Sequence, residues 1–280
     1  KMLTPNDAAY QNRSLYPTGK NIQWMPNTDK YIFADETNPN NLMIQGVNAK
    51  SAEVLLSLDQ VNTYLNKAEL ENVKRIPNLT WINTEKAYYY NFDQSSNMVS
   101  LYMLDLKAES ITKITSIPAN AENHTISTPS MKVAYTIGNN LYYADGNKQI
   151  QVTDNPENVV AGQSVHRNEF GINGGIFWSP DGSKLAYYSM DERMVTDYPL
   201  VDITERVATA KPIKYPMAGM TSHVVTLKIH NIKNGKEIVV ETGEPTDQYL
   251  TSITWNPDNK KIYIGILNRA QSHLKFNEYS

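Results

Sequence analysis

The sequence predicts an all-β chain of β-propeller blades, each a four-stranded antiparallel sheet. Three observations predict it: a tryptophan-led phrase that recurs along the chain, a spacing between copies close to the length of one blade, and a strand-favouring composition. The composition sets the frame. The 280 residues are 40% hydrophobic and 20% charged, enough to bury a large core. Tyr outnumbers Phe 18 to 5, which suits half-exposed strands that pack a ring and keep its hydroxyl wet.

All four tryptophans open a copy of the phrase. The clearest is Trp178-Ser179-Pro180-Asp181-Gly182, followed by Leu185-Ala186-Tyr187-Tyr188. Trp255-Asn256-Pro257-Asp258-Asn259, Trp24-Met25-Pro26-Asn27 and the weaker Trp81-Ile82-Asn83 repeat it. A fifth copy, from Ser127 through Thr128-Pro129-Ser130-Met131, lacks the tryptophan. Each phrase reads as a hairpin: a strand ends at Trp, Pro presets φ for the turn, Gly or Asn accepts φ > 0, and a β-rich strand returns. Further strands are expected at Leu101–Leu106, Leu141–Ala144 and Val224–Ile232, the last turning at Asn234-Gly235.

The copies start at 24, 81, 127, 178 and 255, so the gaps are 57, 46, 51 and 77 residues. A four-stranded blade repeats at about 40–50 residues. The two long gaps therefore hold insertions, one near 51–70 and one near 202–222. In the first, Val54, Leu58, Val61 and Leu65 recur at helical spacing and predict a short amphipathic helix over about residues 58–67. The second reads as polar, proline-containing and irregular. An ordinary β-sandwich is the competing architecture, but sandwiches need no tryptophan-anchored phrase in each unit. The expected organisation is a lead-in over 1–20 and a partial propeller over 21–280. The chain stops inside a strand-like stretch after Leu274, and this reads as part of a longer protein.

Several function classes are disfavoured. Net charge is −3 with no basic block, so no nucleic-acid partner is expected. No apolar run approaches a membrane span. With no cysteine there is no thiol nucleophile, thiolate metal site or disulfide. The histidines His124, His166, His223, His230 and His273 lack metal-site spacing, so neither metal nor cofactor is expected. Asn78-Leu79-Thr80 and Asn123-His124-Thr125 match the glycan sequon, a motif frequent by chance.

The second half is more specific. Ser164-Val165-His166-Arg167-Asn168-Glu169-Phe170-Gly171-Ile172 precedes Gly175-Ile176-Phe177-Trp178-Ser179-Pro180. Leu185 to Asp191, Tyr215-Pro216-Met217-Ala218-Gly219, Thr242-Gly243-Glu244-Pro245 and Leu267-Asn268-Arg269-Ala270-Gln271 follow in order. From about residue 160 onward this set resembles the propeller domain of the dipeptidyl peptidase IV branch of the prolyl oligopeptidase family. Its bacterial dipeptidyl peptidase IV and prolyl tripeptidyl aminopeptidase members look nearest. Before residue 160 the likeness is fainter, although Leu3 to Tyr16 is similar to the family's lead-in.

The resemblance implies an eight-bladed propeller capping an α/β-hydrolase domain, in a serine exopeptidase that releases di- or tripeptides from free N-termini, usually after proline. The Ser-Asp-His triad would lie in the hydrolase domain, so no catalytic residue is expected in this chain. A nucleophile elbow needs Gly-x-Ser-x-Gly, and the nearest imitation, Gly162-Gln163-Ser164-Val165-His166, lacks the second glycine. The family grips the substrate α-ammonium with carboxylates just before the Trp-Ser-Pro phrase, which maps to Glu169. A carboxylate in a dry pocket would bind that ammonium by a charge-assisted hydrogen bond and fix its distance from the scissile bond. Arg167 would orient Glu169 or meet a substrate carbonyl, and Asn168 is the third candidate. Where the best-known members carry consecutive glutamates, this chain has Arg167-Asn168-Glu169. The segment 202–222 resembles an arm that helps form a homodimer, and family habit implies a periplasmic or exported protein. The rival reading is a non-catalytic propeller: a binding module or an inactive family member.

Overall fold

The computed structural model describes residues 4–9 and 21–280. Most of the expected lead-in lies outside the described residues. Of it, only a short helix, α1 (Pro5–Ala9), is described as an element. The chain divides into two compact units, Lys1–Tyr90 with Tyr102–Lys113, and Asn91–Leu101 with Ile114–Ser280.

The strands follow the repeat. The first sheet is β1 (Gln23–Trp24), β2 (Lys30–Ala34), β3 (Asn41–Gly46) and β4 (Glu53–Ser57), antiparallel in sequence order. The helix expected from apolar spacing follows as α2 (Leu58–Lys67). It starts where it does because Ser57 and Gln60 form a capping box, the Ser57 side chain accepting from Gln60 N–H and Gln60 accepting from Ser57 N–H. Val61, Tyr64 and Leu65 are its buried face. Val54, whose spacing predicts the same face, is instead exposed in β4; the capping box at Ser57 starts the helix only after that strand. With Met25, Ile32, Leu56 and Trp81, the helix face closes the core of this unit.

The second sheet is β5 (Thr80–Trp81), β6 (Lys86–Asp93), β7 (Met98–Asp105) and β8 (Ser110–Pro118). The third is β9 (Glu122–Ser127), β10 (Lys132–Ile137), β11 (Asn140–Asp145) and β12 (Lys148–Gln151). The strand that opens each sheet ends at the phrase: Trp24, Trp81 and Ser127.

The fourth sheet differs. One of its edges is split into β13 (Val159–Ala161) and β14 (Ile176–Trp178), both paired with β15 (Lys184–Asp191). Next in the chain come β16 (Asp197–Asp202) and β17 (Thr209–Lys214), a separate two-stranded ribbon. The expectation that 202–222 is irregular throughout is corrected in part: residues 209–214 are a strand, while 203–208 and 215–222 lie outside strands. An ordered hairpin spans 197–214, with Asp197 opposite Lys214 and Asp202 opposite Thr209. Lys214 pairs with Asp197 at 3.0 Å and Lys211 pairs with Asp202. Cross-strand pairing and these charges order a stretch whose prolines and polar residues read as loop. The sheet then resumes with β18 (Val224–Asn231) and β19 (Glu237–Val240). The last sheet is β20 (Gln248–Trp255), β21 (Ile262–Asn268) and β22 (Leu274–Tyr279).

The tryptophan phrase has a structural reason in the second unit. Trp178 Nε1 donates to Thr125 O in β9 at 3.1 Å, and Trp255 Nε1 donates to Phe177 O in β14 at 3.0 Å. Each indole fastens its hairpin to an edge strand of the preceding sheet by donating to a backbone carbonyl there. The turns are linked too. Gly182 has φ +69°, and a Cβ there would lie 2.3 Å from Ser127 Oγ, while Asn259 Oδ1 accepts from Asp181 N–H at 2.9 Å. Trp81 is buried but its Nε1 finds no acceptor among the described residues, and Trp24 is 56% exposed. The architecture is all-β, with several separate four-stranded antiparallel sheets where a sandwich would show two packed layers.

Candidate functional site

The three candidate residues lie on the loop between β13 and β14 that splits one edge of the fourth sheet. The loop leaves after β13 and returns at β14. Its neck is closed by Tyr188 of β15, whose O accepts from Gly162 N–H at 2.8 Å and whose N–H donates to Gly175 O at 3.0 Å. The two ends cross so closely that a Cβ on Gly175 would lie 2.0 Å from Gln163 O. Gly162 takes φ +73° at the same neck.

Above the neck the backbone runs left-handed. His166, Arg167 and Asn168 have φ of 50°, 57° and 59°, Glu169 is extended, and Phe170 and Gly171 return to 57° and 77°. Each non-glycine residue there costs on the order of 1 kcal/mol, so neighbours must hold the course. Val165, His166 and Ile172 are buried. Asn168 N–H donates to Val165 O and Glu169 N–H to His166 O, both at 3.1 Å, and Ile172 N–H closes back on Glu169 O. Thr251 Oγ1 of β20 donates to Phe170 O at 2.6 Å.

The floor is aromatic and cationic. β20 is the first strand of its sheet, so the backbone groups of Leu250 face away from β21. Leu250 O accepts from the Tyr188 hydroxyl at 2.8 Å, and Leu250 N–H donates to His166 Nε2 at 3.4 Å. His166 Nδ1 lies 3.1 Å from His223 Nε2. Tyr249 sets its ring 4.9 Å from that of His166 and 4.6 Å from that of Phe170. Arg269 donates to the Tyr249 hydroxyl at 2.7 Å and pairs loosely with Asp247. Arg167 lays its guanidinium 4.6 Å over the Tyr215 ring, and Tyr215 meets Tyr198 at the base of the ribbon. Burial pushes the His166 ring down to about 3, with the charges of His223 and Arg269 adding to it.

The structure brings Arg167, Asn168 and Glu169 together on one exposed tip. Arg167 turns to Tyr215, so the expected contact with Glu169 is not among its observed interactions. Glu169 is exposed, and the neighbours in this chain do not supply the dry pocket expected around it. Ser164 Oγ is buried without a hydrogen-bond partner among the described residues, so no base activates it. Sequence reasoning missed His166, His223, Tyr215, Tyr249 and Arg269 as neighbours of the site. His166, Tyr215 and Arg269 fall inside the ordered motifs that carried the family resemblance, whereas His223 stands 57 residues from His166 with no motif spacing to link them.

Comparison with known proteins gives the loop its context. The family described as "Dipeptidyl peptidase IV (DPP IV) N-terminal region" matches residues 76–280. The chain belongs to this family. A solved structure from Bacteroides ovatus, assigned as a dipeptidyl aminopeptidase IV, superposes with a TM-score of 0.78 at 37% identity, covering 94% of this chain and 36% of that one. The dipeptidyl peptidase 4 of Porphyromonas gingivalis superposes with a TM-score of 0.70 over 99% of the chain and 40% of its own length; at 19% identity it supports the fold alone. Among curated relatives, a probable dipeptidyl peptidase 4 of Aspergillus flavus is 24% identical over 98% of this chain and 37% of its own length. A probable dipeptidyl-aminopeptidase B of Talaromyces marneffei is 31% identical over 51% of the chain and 18% of its own length. The chain thus spans well under half the length of these relatives.

Proposed function

We propose that this chain is the substrate-receiving part of a serine exopeptidase that releases di- or tripeptides, preferentially after proline, and that Glu169 binds the free α-ammonium of the peptide. The observation that carries the reading is the state of Glu169: an exposed carboxylate with no ion-pair or hydrogen-bond partner for its side chain among the described residues, on a tip whose backbone is fixed by buried anchors. An unpartnered anion on a rigid support suits a cationic ligand group, because the support need not reorganise on binding. In this reading the blades close into a propeller, and a downstream α/β-hydrolase domain supplies nucleophile and oxyanion hole and dries the space over Glu169. Asn168 offers an amide beside the carboxylate. The names of the relatives, dipeptidyl peptidase 4 and dipeptidyl-aminopeptidase B, support the reaction class. The ribbon 197–214 serves as a homodimer contact, and the protein works in the periplasm or outside the cell.

The test is a Glu169→Ala change in the complete protein. The expected loss in kcat/KM for a free-amine dipeptidyl substrate is about 10- to 100-fold, the range of one charge-assisted hydrogen bond. A substrate ester with a blocked amine keeps its rate. Equal loss on both would contradict the assignment.

A further inference from the structure

The tip that bears Glu169 is exposed, but its anchor is a buried pair of imidazoles whose protons can be placed. Leu250 N–H points at His166 Nε2. A backbone N–H only donates, so Nε2 carries a lone pair and the His166 proton sits on Nδ1. Nδ1–H then donates to His223 Nε2, which must also be bare. The array from Leu250 through His166 to His223 is complete with both rings neutral. An extra proton on either ring sets two donors face to face, at Leu250 or between the rings.

The surroundings reinforce this. The groups facing the pair are Tyr249 of β20, Arg269 after β21 and Asp247 before β20. Burial lowers both rings, and the Arg269 charge lowers both further; Asp247 alone works the other way, on His223. The pair also sits at the point of leverage. His166 begins the left-handed run, and its carbonyl receives the Glu169 N–H.

We propose that His166 is a positioning residue: the neutral His166–His223 pair holds residues 167–169 in their left-handed course, and protonating the pair releases that tip. The consequence for substrate rests on the amine-binding role of Glu169; the positioning itself does not. A folded state that resists protonation binds fewer protons than the unfolded chain between about pH 6.5 and about pH 3. Stability therefore rises with pH through that window and falls as acid is added.

The experiment uses the complete protein and two readouts. The first is hydrogen exchange of the 165–172 segment, normalised to the intrinsic rate at each pH and to the strands of the same sheet. Wild type is expected to lose protection there, ahead of those strands, as pH falls below about 6.5. His166→Phe, which keeps the ring but neither hydrogen bond, loses it at neutral pH. His223→Gln, which can accept from Nδ1–H but cannot titrate, keeps neutral-pH protection and moves the acid loss to lower pH. The second readout is kinetic: His166→Phe raises KM for a free-amine dipeptidyl substrate about tenfold, with kcat within about threefold. Segment exchange unchanged in His166→Phe, or an acid profile unchanged in His223→Gln, overturns the positioning role. If exchange responds while KM does not, the positioning role stands and the Glu169 assignment falls.

Discussion

Gly175 owes its identity to a carbonyl on another part of its own loop. Its φ does not demand glycine; the demand comes from Gln163 O, 2.0 Å from where a Cβ would sit. Backbone cannot retreat the way a side-chain tip can, and Tyr188 clamps both ends of the neck. A Gly175→Ala change is expected to open the loop and cost about 2–4 kcal/mol, in the class of a side chain forced into packed backbone. Thermal unfolding of the complete protein measures it; a melting temperature within a degree of wild type would mean that the neck yields. Met131 shows the opposite economy. It holds the turn position that Gly182 and Asn259 hold in other copies, at a φ of 54°, so a non-glycine residue carries that left-handed strain here.

At the scale of elements, most boundaries are set by local chemistry. α2 begins at a reciprocal side-chain cap and buries three residues of one face, so Ser57→Ala is expected to cost about 1 kcal/mol. Denaturant midpoints read this, and an unchanged midpoint would show that packing of Val61, Tyr64 and Leu65 alone fixes the helix start. The hairpin turns behave alike. In the fourth sheet Asp181 accepts from Ser179 Oγ and Ser183 N–H, and Ser179 Oγ accepts from Lys184 N–H, so the Trp-Ser-Pro-Asp-Gly phrase closes its turn with its own side chains. The ribbon β16–β17 is the exception. It is a two-stranded element outside any larger sheet, of a kind that is marginal alone in water. Ion pairs at both ends and the Tyr198–Tyr215 contact at its base support it.

For the whole molecule, that ribbon is the surface with most to explain. Val201, Ile203 and Val207 are 69%, 80% and 76% exposed around its tip, with Leu200 beside them. Exposed aliphatic side chains grouped on one hairpin suit the homodimer contact proposed above. With the proposed homodimer, Val201→Asp combined with Ile203→Asp is expected to convert dimer to monomer in sedimentation of the complete protein. A dimer that survives both charges would place the interface elsewhere. Among the described residues no helix is long and apolar enough to cross a membrane.

The sequence by itself determined the elements and their repeat. Turns closed by Pro, Asp, Asn and Gly depend on a few adjacent residues, so the hairpins at Trp24, Trp81, Trp178 and Trp255 could be read directly, and apolar spacing gave α2, whose cap the structure supplied. It also placed Arg167, Asn168 and Glu169 on one segment, because they are consecutive. Only the tertiary structure decided what that segment does with its neighbours. Arg167 chose Tyr215 over Glu169, His166 found His223 and the Leu250 N–H, and Asp202 joined an ordered ribbon. Each of these contacts joins residues far apart in the chain or across a hairpin with no turn signature. Which donor meets which acceptor there is settled by how separate sheets pack, and a one-dimensional pattern carries no record of that.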